Sequence, residues 1–482
     1  MSSNNKSAIT VTGLALMTAA AVISLRALPM MAKEELTMFF YIGFATILFL
    51  IPASLVSAEL GSAFANKGGG VYTWIKEAFG TKLGFTAIWL QWIQNVVWYP
   101  TVLGFAAAAI SYLIGKTELA GNGYFVGIFS ILIYYFATWL TLKGTSFITK
   151  VSSFGFILGT IIPGVIIILL AVIYLVQGNP IEFLTLKGAD VSIAKEIEGK
   201  LHPRYFPHIS GMGDIAFLAG ILLMFAGVEV HAVHAQNLAD PKKEFPKSVL
   251  LASIIIFILF TLGSLAIAVV LPYDQIDLQS GLLVTLQILL AKFHLAWLMP
   301  ILSLLIAFGV LAGVTSWIAG PSSGLLWTAK EGLLPETLAK TNKNGVPKNI
   351  LLIQAVIVTI LSSLYFVIDN VSVAFFLLSA LTIGLYLIMY MLMYLAGIKL
   401  RYTQPDLPRS YKVPGGKKGM IIIAGIGLVS VIFSFIVSFF PPSQLPIGSV
   451  SLYVTLVALG NIIFVALPFI IVKTNQTSKN SN

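Results

Sequence analysis

Residues 251–271 read LASIIIFILFTLGSLAIAVVL, with no charged side chain between Leu251 and Leu271. A helix crosses the hydrocarbon core of a bilayer with about 20 apolar residues, so this run is long enough. So are Val151–Val176, Ile350–Ile368, Val371–Ile398, Met420–Phe440 and Ser449–Val472, each free of charge. Inside lipid every backbone polar group needs an internal partner, which leaves helices or closed barrels. Barrel strands would alternate apolar and polar residues. These runs do not alternate, so the chain reads as an all-α integral membrane protein.

Composition agrees. Of 482 residues, 58% are hydrophobic and 10% charged, whereas a soluble domain is ~45–50% apolar and ~25% charged. About twelve spans are expected, near 9–31, 37–64, 83–113, 122–142, 149–177, 213–236, 247–271, 296–328, 349–368, 372–398, 419–440 and 450–472. The first apolar stretch runs into further spans without a small-residue cleavage site, so it reads as a span and not a cleaved leader.

The net charge of +10 is explained by topology, not by nucleic acid. With a cytoplasmic N-terminus, 21 of the 29 Lys and Arg residues fall in inside connections and seven in outside ones. That bias places both termini in the cytoplasm. Of the two long outside connections, 177–213 is polar. The other, 272–296, reads either as an amphipathic helix at the interface or as a cap on the eighth span.

The sequence has no cysteine, which excludes disulfides, thiol catalysis and Cys-based metal sites. It has no P-loop, so ATP drive is not expected, and no His-Glu-x-x-His pattern for a membrane zinc protease. No cofactor or metal is expected, and no nucleophile–base constellation for an enzyme is present.

Charged side chains inside a membrane are functional candidates by default. Arg26 follows the small-residue run Ala19-Ala20-Ala21 and precedes Pro29, which would leave the carbonyl of Leu25 without its helical partner. A span broken there exposes backbone donors and acceptors at mid-depth, and a guanidinium can grip a carboxylate with two parallel bonds. The bland alternative is snorkelling to the outer interface. Glu229 lies in Phe225-Ala226-Gly227-Val228-Glu229, mid-way along the sixth span. It reads as a gating or proton-sensing group, as a structural partner for Arg26 or as a polar helix packing site. His231 and His234 follow and would titrate in an acid range. Glu59 reads as a cytoplasmic salt-bridge or capping residue. Trp98 and Trp317 are the aromatic candidates for lining a site, Trp317 because it sits among small and polar residues.

Several stretches occur in order: Ala58-Glu59-Leu60, Gly68-Gly69-Gly70-Val71-Tyr72-Thr73-Trp74, Gly227-Val228-Glu229, Asn237-Leu238-Ala239-Asp240-Pro241, Trp317-Ile318-Ala319-Gly320-Pro321-Ser322, Asn342-Lys343-Asn344-Gly345-Val346-Pro347 and Val413-Pro414-Gly415-Gly416. With them the chain resembles the amino acid–polyamine–organocation transporter superfamily over nearly its whole length. It is most similar to the bacterial glutamate/GABA antiporters. The resemblance implies a single transporter domain of LeuT-like 5+5 inverted repeats, about 9–177 and 213–398, with two further helices at about 419–472. It implies that spans 1 and 6 are unwound at their centres around the substrate. It also implies exchange of an amino acid for its decarboxylated product, coupled to a cytosolic decarboxylase and linked to acid resistance. Two positions depart from the pattern: Val22-Ile23-Ser24 stands where the superfamily often has Gly-x-Gly, and Ser323 where the glutamate/GABA branch often has a basic residue.

The expectation is therefore an amino acid antiporter of the bacterial cytoplasmic (inner) membrane. Ser24 and nearby backbone would bind the substrate carboxylate and Arg26 a side-chain carboxylate. Phe225, Gly227, Trp98 and Trp317 would shape the pocket, while Glu229 and His231 would respond to pH. A neutral or aromatic amino acid or an amine as substrate stays open, as does, outside the class, a membrane sensor or channel.

Overall fold

The computed structural model describes residues 10–64, 67, 69–185, 193–197, 200–229, 238–443 and 449–480. Helices dominate it. The first span is two pieces, α1 (Val11–Val22) and α2 (Leu28–Ala32), joined through a 3₁₀ turn at Leu25–Ala27 and bent by 54°. Then come α3 (Glu35–Ala63), a short α4 (Val71–Phe79), α5 (Thr81–Leu113), α6 (Gly123–Thr141) and α7 (Lys150–Val176). The second half holds α8 (Ala216–Met224), α9 (Pro241–Val270), α10 (Gly281–Lys292), α11 (Met299–Lys330), α12 (Lys348–Val367), α13 (Val371–Thr403), α14 (Gly416–Val437) and α15 (Val450–Thr474).

Among the described residues, ten helices are long and apolar enough to span a membrane, or eleven with the bent first span. The expected sixth span, 213–236, is described only to Glu229, so its last residues, with His231 and His234, lie outside the described residues.

The packing is that of a protein in lipid. α5 and α13 are the most enclosed helices and α15 the least. Val429 is 68% exposed and Ile462 63%, which is favourable only where hydrocarbon covers them. α7 and α11 touch backbone to backbone. A methyl group at Gly159 would collide with the Leu305 carbonyl and with Gly309, the close approach that small residues permit between membrane helices.

The polar segment after α7 folds in part as an antiparallel hairpin, β1 (Ala194–Ile197) with β2 (Lys200–Pro203), an exception to the all-α expectation. The stretch before α11 packs on the helices as a cap does, one of its two expected readings. Leu282, Leu283, Leu286, Leu289 and Leu290 of α10 are all buried, so this helix is a lid packed on the bundle.

The turn that leads into α10 ties it down at three points. Lys33 donates to the carbonyl of Tyr273 at 2.8 Å and lies over its ring. Gln279 Nε2 donates to the hydroxyl of Tyr365, which donates to the carbonyl of Pro100 at 3.2 Å. Asp277 accepts from Ser372 at the start of α13 and from the amides of Gln279 and Ser280.

At the other end of the bundle, which carries the basic connections, Glu59 is the anchor. It meets Arg401 Nε at 2.6 Å and Arg409 Nε at 3.1 Å, and accepts the amide of Val413 at 2.7 Å. The salt-bridge reading of Glu59 is thus what the packing displays: α3 is fastened to the connection between α13 and α14. Nearby, Glu331 joins the hydroxyl of Tyr72 and the ammonium of Lys76, linking the end of α11 to α4.

Candidate functional site

Two helices stop in the middle of the bundle. α1 ends because Ile23 and Ser24 turn extended, Ser24 with φ −137° and ψ 129°. Among the described residues the amides of Ser24, Leu25 and Arg26 have no backbone acceptor. The break falls earlier than the proline suggested. Pro29 sits in the first turn of α2, where a missing N–H costs nothing. The carbonyl of Leu25, expected to be orphaned, accepts from the amide of Leu28.

α8 ends at Met224, and Gly227 takes φ +114°, a region glycine enters without the penalty a side chain carries. Its amide donates to the hydroxyl of Tyr390 at 2.9 Å.

Arg26 joins the two breaks. Its side chain does not snorkel: it is 2% exposed. One terminal nitrogen donates to Thr101 Oγ1 at 3.1 Å and the other to the Met224 sulfur at 3.2 Å, and Nε is buried without an acceptor. The guanidinium carbon lies 5.2 Å from the centre of Phe375 and 5.8 Å from that of Trp98. Trp98 in turn packs edge-on against Trp317 at 6.2 Å. Ser24, Arg26, Trp98 and Trp317 therefore belong to one neighbourhood. Phe225 is fully buried against Phe260 of α9 and supports the second break from behind.

Glu229 is not the partner of Arg26, which corrects that structural reading. Its carboxylate takes the hydroxyls of Tyr386 and Tyr390 and the side-chain amide of Gln91, the last at 3.0 Å. Three neutral donors supply a buried carboxylate with hydrogen bonds. Sequence reasoning missed Gln91, Thr101, Met224, Phe375, Tyr386 and Tyr390. Only the tyrosine pair left a signal, two hydroxyls four residues apart on one face of a span.

Beyond the first break, Ser24, Thr160, Gly164, Phe260 and Gly263 line an apolar cavity of about 20 Å³, room for a single water. The described residues hold no cluster of three metal-ligating side chains.

A membrane bundle in which one span is broken and a second helix ends beside the break, with polar groups gathered between them, has the features of a secondary transporter's binding region. The profile of the family described as Amino acid permease matches residues 9–480, and the chain belongs to that family, within the amino acid–polyamine–organocation superfamily. It is 37% identical over 473 residues to an uncharacterized transporter of Legionella pneumophila, covering 98% of both chains. It is 32% identical over 470 residues to a glutamate/gamma-aminobutyrate antiporter of Lactococcus lactis subsp. lactis, covering 97% of this chain and 90% of that one. A similar antiporter of Lactococcus lactis subsp. cremoris matches equally. Members of the family are transporters of small molecules across membranes, not enzymes.

Proposed function

We propose that this protein exchanges an amino acid for a related amino acid or its decarboxylated amine, most specifically glutamate for γ-aminobutyrate, by alternating access across the bacterial cytoplasmic membrane. In this reading both termini face the cytoplasm, so the lid α10 is on the outside. The unpaired amides at Ser24 to Arg26 receive the substrate's α-carboxylate. Gly227 opens the second break, Trp98 and Trp317 wall the pocket, Phe225 braces it, and Glu229 gates it through Tyr386 and Tyr390. Exchange of this kind, paired with a cytosolic decarboxylase, consumes cytoplasmic protons and serves acid resistance.

The observation that carries the reading is the identity with the glutamate/gamma-aminobutyrate antiporters over almost the whole chain. Arg26 disfavours an amine without a carboxylate, because a second cation beside a buried guanidinium is repelled. The test is exchange in proteoliposomes loaded with unlabelled glutamate. Uptake of labelled glutamate that needs internal substrate and rises from pH 7.5 to 5.5 is expected. Uptake without internal substrate would remove the antiport reading, and no uptake at either pH would remove glutamate.

A further inference from the structure

Arg26 is a buried cation in the middle of the bundle. Among the described residues no carboxylate pairs with it, although it is buried where a lone charge is costly. Thr101 supplies one good acceptor. The Met224 sulfur supplies a second, and a thioether is a weak acceptor. The Nε hydrogen has none. The rings of Phe375 and Trp98 flank the charge, which steadies a guanidinium through its face and leaves its edge to bind. A planar fork held in this way fits a carboxylate with two parallel hydrogen bonds. An anion arriving there would replace the sulfur with a far stronger acceptor.

Glu229 cannot be that anion while Gln91, Tyr386 and Tyr390 hold it. The unpaired amides of the first break lie at Arg26 and the two residues before it. The site thus offers two separate anion receptors, one of backbone and one of side chain.

We propose that Arg26 receives the carboxylate at the far end of the substrate's side chain, the one group that an acidic amino acid shares with its α-decarboxylation product. This rests on the exchange reading above. Removal of the α-carboxylate breaks the bond between Cα and that carboxylate, releases carbon dioxide, and places a solvent proton on Cα. The amine and the side-chain carboxylate survive. Of the two receptors, the backbone amides meet a partner only in the incoming amino acid, whereas Arg26 meets one in both directions. One residue then selects both exchange partners, and the reaction class that links them is α-decarboxylation.

The experiment uses the full chain in proteoliposomes, with glutamate, γ-aminobutyrate, 5-aminovalerate, glutamine and putrescine as competitors of labelled glutamate. Thermal stabilisation of the detergent-solubilised protein by the same compounds is the second readout. In the parent, γ-aminobutyrate and 5-aminovalerate compete and putrescine does not. In Arg26→Gln, the concentrations needed for glutamate and for γ-aminobutyrate both rise at least tenfold, on the order of one lost charged contact, while glutamine stabilises as well as before or better. Arg26→Lys keeps the charge without the fork and falls between the two. Retained stabilisation by glutamine shows that the variant is folded.

An Arg26→Gln protein that loses glutamate but keeps γ-aminobutyrate unchanged overturns the shared-carboxylate assignment, as does one that keeps both. Either result leaves exchange by the parent intact. A parent that exchanges neither compound fails the functional reading, and the inference with it.

Discussion

The amide of Gly227 donates to the hydroxyl of Tyr390 across 2.9 Å, and the same hydroxyl donates to Glu229 two residues further on. Tyr390 therefore closes a loop around the second helix break. It satisfies the backbone freed by the break and holds the buried charge beside it. A movement of α13 acts on both at once.

Tyr390→Phe removes both bonds and leaves a buried amide without an acceptor. The expected cost is about 1–3 kcal/mol, read as a lower midpoint of thermal unfolding in detergent, together with slower exchange. Tyr386→Phe removes one donor to Glu229 and leaves Gly227 bonded, so its stability loss should be smaller. Equal losses in the two variants would contradict the double role of Tyr390.

Glu229→Gln keeps the size and removes the charge. A carboxylate accepts from all three of its donors, whereas an amide must turn a donor of its own toward one of them. Exchange at pH 7 should fall about tenfold or more, a rise of about 1.4 kcal/mol in the barrier. The pH dependence of the remaining activity should flatten. A variant with the parent's pH profile would take gating away from Glu229.

Arg401→Met strips Glu59 of its closest cation and leaves a carboxylate that is 1% exposed. Arg409 stays within 3.1 Å of Glu59, so the loss should fall below the about 3–5 kcal/mol of a buried charge left wholly unpaired. Hydrogen exchange at the amide of Val413, bonded to Glu59, should accelerate. Protection unchanged from the parent would mean that the α13–α14 connection is held by other contacts.

Glu331 gives a pH prediction with a definite sign. Burial raises its pKa, but the bonds from Lys76 and Tyr72 and the charge of Lys76 outweigh it and hold the group below its ordinary 4.5. A depressed carboxylate stabilises the folded contact above its ordinary pKa and loses that contribution as pH falls through the lowered one. The tie between α4 and α11 should therefore persist at pH 5.5 and release only below the ordinary carboxylate range. Its side chains are about one-third exposed, so screening keeps the effect small. A distance between labels on α4 and α11 that shifted between pH 7 and pH 5.5 would refute this.

Much of this was legible in the residues. The uncharged runs located the spans because a bilayer demands length and apolarity above all else. Arg26, Ser24 and Gly227 marked the breaks, because small residues and a buried charge have no cheap place in a continuous helix. The exact break did not follow from Pro29, whose ring is tolerated at a helix start. Tyr386 and Tyr390 were hidden because aromatic side chains on a span pack far more often than they bind. The separation of Arg26 from Glu229 was hidden as well, since which donors reach a buried acid depends on how α5 and α13 face it. The hairpin β1–β2 falls in a connection with no alternation strong enough to announce it.

The lid is fastened to three different parts of the bundle, by Lys33 after α2, by Tyr365 in α12 and by Asp277 against Ser372 of α13. Lifting α10 from its seat therefore has to break contacts with three separate parts of the bundle, and the loss of any one tether leaves two holding.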